Sequence, residues 1–386
     1  MEDVRFLVER EKLLERRLES EFIKLYSILE SDKLITLREL LHPIEYIYIS
    51  RDTRYIDKIL RPLADRLINT QLTPENKRIY ISYGRYSPKK GFEEERCNEE
   101  YLSKFRGGYP TLIGIYRGVI YGYKPDIDST IAGLLILKWI NDLTGGDPDI
   151  YKNIKLGLKY LEDSDINRDG LVEQYENEDW AIHACRSGAV TYSNSLYLLL
   201  LENILDYSIS IGDRDLNEYC RRMIPKIYEY LIYGFWMGDY IVNMIDKYGK
   251  IDMTYALDTV YIGLSSISSG EERVKDHLKT LNHELNVNGV MSSFKPINFN
   301  ECIERIRPYT HVNGGVYPKL NILFARILVK YGYVLEAAKL LRNIYDYIKY
   351  KWFNPHNPKE YGGGGALENI PLILLTINEI KRKLQE

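Results

Sequence analysis

From Asp126 to the C-terminus, stretches with apolar residues at three- and four-residue spacing follow one another in adjacent pairs, and this recurrence constrains the fold more than any other feature. The spacing predicts helices over 127–144, 149–163, 191–211, 213–234, 253–268, 271–286, 316–332, 335–350 and 365–385. Pairs joined by short turns, such as 127–163 and 316–350, read as αα-hairpins, each of which must bury its apolar stripe against other helices. Upstream, Val4, Leu7, Leu14, Leu18, Phe22, Leu25, Ile28 and Leu29 mark one face of an amphipathic helix. A shorter helix is expected near 34–42, stopping before Pro43, and another over 54–70, bent at Pro62. The segments RIYISYGRY and TLIGIYRGVIYGYK alternate and are rich in β-branched residues, so 76–124 reads as a strand and loop insert behind N-terminal helices over 1–75. The expectation is an all-α chain of about twelve helices with short β inserts, and no linker rich in Pro, Gly or Ser divides 1–386 into separate domains.

Composition sets limits on function. A chain that is 45% hydrophobic and 28% charged carries the balance of a folded globular protein. Its formal charge of −3 provides no footprint for nucleic acid or an anionic membrane, so an uncharged partner is expected. MEDVRFLVEREKLLERRLES has no apolar leader core and no 18-residue apolar run occurs, so a cytoplasmic location is expected. Cysteines 97, 185, 220 and 302 follow no metal-ligand spacing and read as reduced thiols. No glycine-rich nucleotide motif is found, so no cofactor is required. The 34 tyrosines, with a high content of Ile, Lys and Glu, point toward a thermophile-like composition.

Four blocks carry chemistry. In the first, Asp165, Asn167, Asp169 and Glu176 around Gly170 satisfy the spacing of a calcium loop, with oxygens at positions one, three, five and twelve. The same residues also suit a solvated turn rich in Asx side chains, and both readings stand at this point. The second block follows directly, with Glu178 and Asp179 before Trp180, and His183 and Arg186 behind it. The third is PYTHVNGGVYPKLNILFARILVKYGYVLEAAKLL from 308 to 341, whose Gly314 and Gly315 permit positive φ and close backbone approach. The fourth is KYKWFNPHNPKEYGGGGALENIPLIL from 349 to 374, with Lys351, Trp352, Glu360 and Glu368; its four glycines read as a flexible connector. GYKPDIDSTIAGLLILKW precedes them all, with Asp126 and Asp128 at a helix start, where capping accounts for one carboxylate and leaves the other for a ligand.

These blocks, in this order, resemble the six-hairpin, (α/α)6-barrel glycosidases of the amylo-α-1,6-glucosidase, glycogen-debranching and glucoamylase type. The family commonly reads D-x-D-x-D-G-L, then D-W-x-D, then R-S-G-x-V-x-Y-S-N; this chain reads DINRDGL, DWAI and RSGAVTYSN. Later it reads Y-x-N-G-G-V-[WY]-P and E-W-[FY]-[DN]-P, against THVNGGVYP and KWFNP here. The resemblance covers about 110–385 and implies six hairpins closed into a ring, with Trp180 as a sugar-stacking platform. It also implies that His183, Arg186, His311, Asn313, Tyr317 and Trp352, and Asp126 or Asp128, contact a carbohydrate.

The resemblance places the catalytic acid at Ile182 and the base at Lys351, neither of which can serve. Glycoside hydrolysis needs two carboxyl groups, about 6.5 to 9.5 Å apart when the anomeric centre inverts. Asp179 and then Glu178 are the nearest remaining acids, and Glu360 and Glu368 the remaining bases. Two functions therefore stay open: a hydrolase of an α-linked gluco-saccharide or oligosaccharide in carbohydrate metabolism, and a catalytically silent relative that binds a saccharide or a protein partner.

Overall fold

The computed structural model describes every residue except 77, 83–93, 177, 182, 183, 185 and 297–305. The chain divides into two compact units, Ile23–Ile227 on one side and Met1–Phe22 with Tyr228–Glu386 on the other.

The helix α1 (Glu2–Leu29) ends in the first of these, and the end of α8, described below, belongs to the second. In Ile23–Ile227, β1 (Ile35–Thr36) leads into α2 (Leu37–Ser50). A 3-10 turn at Thr53–Tyr55 and a π turn at Ile56–Leu60 then feed α3 (Arg61–Thr70). The insert supplies β2 (Ile79–Ser82), β3 (Glu95–Arg96), α4 (Glu99–Lys104), β4 (Leu112–Ile113) and β5 (Gly118–Tyr121). With β1 these form a sheet of order β1-β4-β5-β2-β3, in which only β2 and β5 run parallel. Then come α5 (Ile127–Thr144), α6 (Pro148–Asp163), β6 (Glu173–Gln174), β7 (Gly188–Val190), α7 (Thr191–Ile211) and α8 (Arg214–Glu229). Helix α5 is apolar nearly all round and buried from Ile127 to Asn141, with α2, α6 and α7 packed against it. Glycines 145 and 212 end α5 and α7 in the left-handed conformation.

The other unit continues through a π turn at Tyr230–Gly234, β8 (Met244–Ile245) and β9 (Ile251–Asp252). Next come a 3-10 helix at Leu257–Leu264, α9 (Glu271–Glu284), β10 (Asn286–Val287) and β11 (Val290–Met291). The chain ends with α10 (Pro318–Lys330), α11 (Val334–Ile344), β12 (Tyr350–Asn354), β13 (Asn357–Gly363) and α12 (Ala366–Lys383). Helix α10 packs on both α11 and α12.

Twelve α-helices lie among the described residues, but not the twelve read from the pattern. The short helix does not stop before Pro43: it starts at Leu37 and runs through Pro43 to Ser50. A proline leaves one backbone bond unmade, and burial of Leu40, Leu41, Ile44 and Ile47 outweighs that loss. Pro62 is the second residue of α3, where no intrahelical N–H is required, and the residues before it wind as the π turn rather than as α-helix. The stretch 253–268 is not an α-helix, since its middle winds as 3-10 over Leu257–Leu264. There Gly263 lies so close to Ile327 that an added Cβ would meet the Ile327 Cγ2 at 2.5 Å. The helix expected over 335–350 ends at Ile344, because the chain must turn into β12. No helix among the described residues is long and apolar enough to cross a membrane.

Candidate active site

In the unit Ile23–Ile227, the second residue of α2 meets the start of α5. Arg38 donates through Nη2 to Asp126 Oδ2 at 2.7 Å and through Nη1 to Asp128 Oδ2 at 3.2 Å, with both carboxylates shut off from solvent. Asp126 stands at the N-cap of α5, yet its side chain makes no capping bond; the Ser129 hydroxyl donates to it at 3.0 Å. The expected capping bond is therefore not made, and a buried guanidinium engages both carboxylates. Burial pushes the Asp126 carboxyl up to about 7 against the pull of Arg38. Burial opposes the Arg38 charge too, but Asp128 and Asp126 outweigh it and hold the guanidinium protonated.

Strands β6 and β7 pair antiparallel and bring the acidic block onto the start of α7. Asn194 fastens this junction: Oδ1 accepts from Val172 N, and Nδ2 donates to the carbonyls of Val172 and Val190. Asp179 is held on all sides. Its Oδ2 pairs with the Arg186 guanidinium at 2.8 Å and accepts from Gln174 Nε2 at 2.8 Å, and its Oδ1 accepts from Ala181 N at 2.8 Å. The Arg186 guanidinium lies over the rings of Trp180 and Tyr192, at 6.0 and 5.6 Å from their centroids.

Glu178, the neighbouring acid, is placed differently. Its side chain is fully buried, Oε2 accepts from Tyr175 N at 2.8 Å, and Lys124 Nζ stands 3.4 Å away. Oε1 has no hydrogen-bond partner among the described residues. Burial pushes the Glu178 carboxyl up to about 8, more than Lys124 can offset, so the group is mostly protonated at neutral pH. Arg38, Lys124 and Arg186 are the buried cations around the buried carboxyls of Asp126, Asp128, Glu173, Glu178 and Asp179, so the carboxyls outnumber them. His183 and Ile182 lie outside the described residues.

The turn before β6 bonds to itself. Asp165 Oδ2 accepts from Gly170 N, Asn167 Oδ1 from Asp169 N and Asp169 Oδ1 from Leu171 N, at 2.8 to 2.9 Å. Glu176 is exposed, whereas Glu173 is buried and accepts from Ile166 N at 2.6 Å. Burial raises both Asp165 and Glu173, and Asp169 raises each further. Among the described residues no group of three or more His, Cys, Asp or Glu is arranged to hold a metal ion.

In the other unit, the third and fourth sequence blocks are joined by reciprocal backbone bonds between Val316 and Phe353, at 2.8 and 2.9 Å. His311 adopts φ 44° in the tight turn that Gly314 and Gly315 permit; an added Cβ at Gly315 would meet the His311 carbonyl at 2.4 Å. The His311 ring lies 6.2 Å from Tyr317 and 5.9 Å from Trp352, both edge to face, so three predicted ligand residues come together. Asn313 is buried, and its amide donates to the Ile306 carbonyl at 2.9 Å. Glu368, in the first turn of α12, pairs with Lys319 at 2.8 Å and raises the buried Tyr317 hydroxyl beyond what burial alone does. Glu360 is in strand β13 rather than on a loop, where it accepts from Arg307 and from Asn354 Nδ2. Lys351 is exposed on β12. Two of the four glycines sit in close approach: Gly362 lies against Trp352, and an added Cβ at Gly365 would meet the Tyr350 carbonyl at 2.0 Å.

The sequence reading missed Arg38, Lys124 and Gln174, which have no motif of their own. Their only signal is position, since each precedes or joins an element that carries a carboxylate.

No family model matches the chain, and no curated protein matches it by sequence. Solved structures do. A glycosidase variant in complex with glucose superposes with a TM-score of 0.65 over 97% of this chain and 98% of its own, at 11% identity. Glucoamylase from Saccharomycopsis fibuligera gives 0.62 over 91% and 86%, at 12% identity. The chain has the six-hairpin (α/α)6 glycosidase fold. A mannosylglycerate hydrolase from Thermus thermophilus, also in complex with glucose, shares this fold at 0.59 and 10% identity, over 89% of this chain and 93% of that one. At such identities the six-hairpin likeness fixes architecture, and residue roles rest on the site itself.

Proposed function

We propose that this six-hairpin chain is a glycoside hydrolase acting on an α-linked gluco-saccharide, with Glu178 as the general acid. The observation that carries the reading is the state of Glu178: a carboxyl pushed up to about 8, buried, with one oxygen unpartnered among the described residues. A general acid must hold its proton at working pH and have an atom free to deliver it. Asp179 fails the second requirement, since both its oxygens are already engaged. Its role is to orient Arg186 and, through it, Trp180. His311, Tyr317 and Trp352 bind sugar in this reading. The glucose in two of the fold neighbours, and the glucoamylase among them, favour a glucosyl unit.

A panel of α-linked gluco-disaccharides and trisaccharides, with released glucose measured, tests the proposal. Glu178→Gln lowers the rate by about a hundred- to ten-thousandfold. The base is assigned by the same assay on Glu368→Gln and Glu360→Gln. Activity falls as pH rises through about 8, because the acid then loses its proton. Absence of turnover by the wild type on the whole panel rejects this reading. The silent relative that binds a saccharide or protein partner then takes its place, a reading favoured by Lys351 standing where the family keeps its base.

A further inference from the structure

We propose that the unit containing α9, α10 and α11 carries a second carbohydrate site, an open cavity of about 440 Å3 that takes a short neutral saccharide. None of the residues assigned to hydrolysis lines it. The volume falls within the roughly 300 to 1,000 Å3 typical of small-molecule sites. Its floor is apolar, built from Leu278 of α9, Phe324 and Leu328 of α10 and Leu340 of α11, with the Tyr333 ring entering from the turn between α10 and α11.

Around this floor stand three amides, Asn282, Asn286 and Asn343. The turn between β10 and β11 fixes two of them. Asn286 Oδ1 accepts from Gly289 N at 3.1 Å, and Asn343 Nδ2 donates to the Gly289 carbonyl at 2.8 Å. Asn343 is thereby oriented with Oδ1 accepting no hydrogen bond among the described residues, and Asn286 Nδ2 donates one long bond to Asn282 Oδ1 at 3.5 Å and keeps a second N–H. Gly289, at φ 83°, is what lets Asn343 come so near, since an added Cβ would meet its Nδ2 at 2.6 Å.

Charge decides the ligand class. Lys279 is held by Asp276 at 3.0 Å, and Glu336 and Lys339 are exposed at opposite sign on α11, so the rim offers no net field for an anion. Preset amide donors and acceptors around an apolar floor match a pyranose, whose hydroxyls lie at its edge and whose C–H groups form its faces.

Hydrogen-exchange mass spectrometry on the full chain carrying Glu178→Gln, with and without millimolar maltotriose, reads each site separately. The expected result is at least about threefold slower exchange in peptides from α9 through β11 and in α11. Asn282→Trp, a change at an exposed rim position, abolishes that protection and leaves hydrolysis by the otherwise wild-type chain unaltered. The unliganded exchange pattern shows that the variant is folded. The proposal is overturned if these peptides are unprotected, if protection survives Asn282→Trp, or if adenosine protects them more strongly than maltotriose. Protection confined to 163–203 rejects the second site and leaves the hydrolase reading intact. Protection at the cavity with no turnover by the wild type does the reverse.

Discussion

His277 makes stability depend on pH in a way that can be worked out from its surroundings. The ring lies on α9, fully buried. Ile241 N donates to Nδ1 at 3.1 Å, so Nδ1 carries no proton, and Nε2–H donates to Thr259 Oγ1 at 2.9 Å. Thr259 passes its own hydroxyl hydrogen to the Ala256 carbonyl at 2.7 Å, which leaves a lone pair for the imidazole. The neutral tautomer is therefore satisfied at both nitrogens, and burial pushes the group down from 6.5 to about 3. The unfolded chain takes up a proton below pH 6.5 and the folded chain does not until about pH 3. The stability this group confers is thus complete above 6.5 and is lost as pH falls through that window. The loss is about 1.4 kcal/mol per pH unit, or about 2 kcal/mol at pH 5. His277→Asn keeps an acceptor for Ile241 N but cannot titrate. Urea unfolding at pH 7 and pH 5 gives the difference between wild type and variant, in which the carboxylate contributions cancel. That difference shrinks by about 2 kcal/mol at pH 5; a difference independent of pH would refute the argument.

Arg66 is buried and donates to four carbonyls, those of Ile28, Leu29, Ser31 and Lys33, just where α1 ends, so Arg66→Met costs about 3 kcal/mol in thermal or urea unfolding. Arg38→Met strands two carboxylates and destabilises by about 3 to 5 kcal/mol, and adding Asp126→Asn with Asp128→Asn recovers most of that loss. Should Asp165, Asn167, Asp169 and Glu176 close on calcium, the ion adds about 2.7 kcal/mol at a hundredfold excess over its dissociation constant; an unchanged melting temperature with chelator excludes the site. Lys124→Met removes the cation beside Glu178 and moves the alkaline limb of the activity profile up by about one pH unit, whereas a purely structural lysine leaves the limb in place.

Helices α5 and α7 were legible because their signals agree at every level: a long apolar run, a glycine in left-handed conformation at the end, and burial that suits the all-round hydrophobicity. Leu257–Leu264 lacks that agreement: Thr259, Val260, Ile262 and Gly263 within its eight residues are weak helix formers, so propensity does not support the apolar spacing there. At Pro43 a local rule gave way to packing, since a helix pressed against α5 recovers from apolar contact what one missing hydrogen bond removes.

The site divides the same way. Motif and spacing singled out Glu178, Asp179, Trp180 and Arg186, because they are neighbours in the chain, and ranked Asp179 first for want of anything but order to rank by. What separates the two acids lies farther off. Arg186 and Gln174 engage Asp179, while Lys124 and the protein interior face Glu178, and burial there raises the carboxyl. Arg38 compounds the effect from 88 residues before Asp126, by taking both α5 carboxylates as its own. Burial raises the Glu178 carboxyl more than Lys124 lowers it, so the chemistry open to this block is a property of the fold packed around it, and four adjacent letters do not contain it.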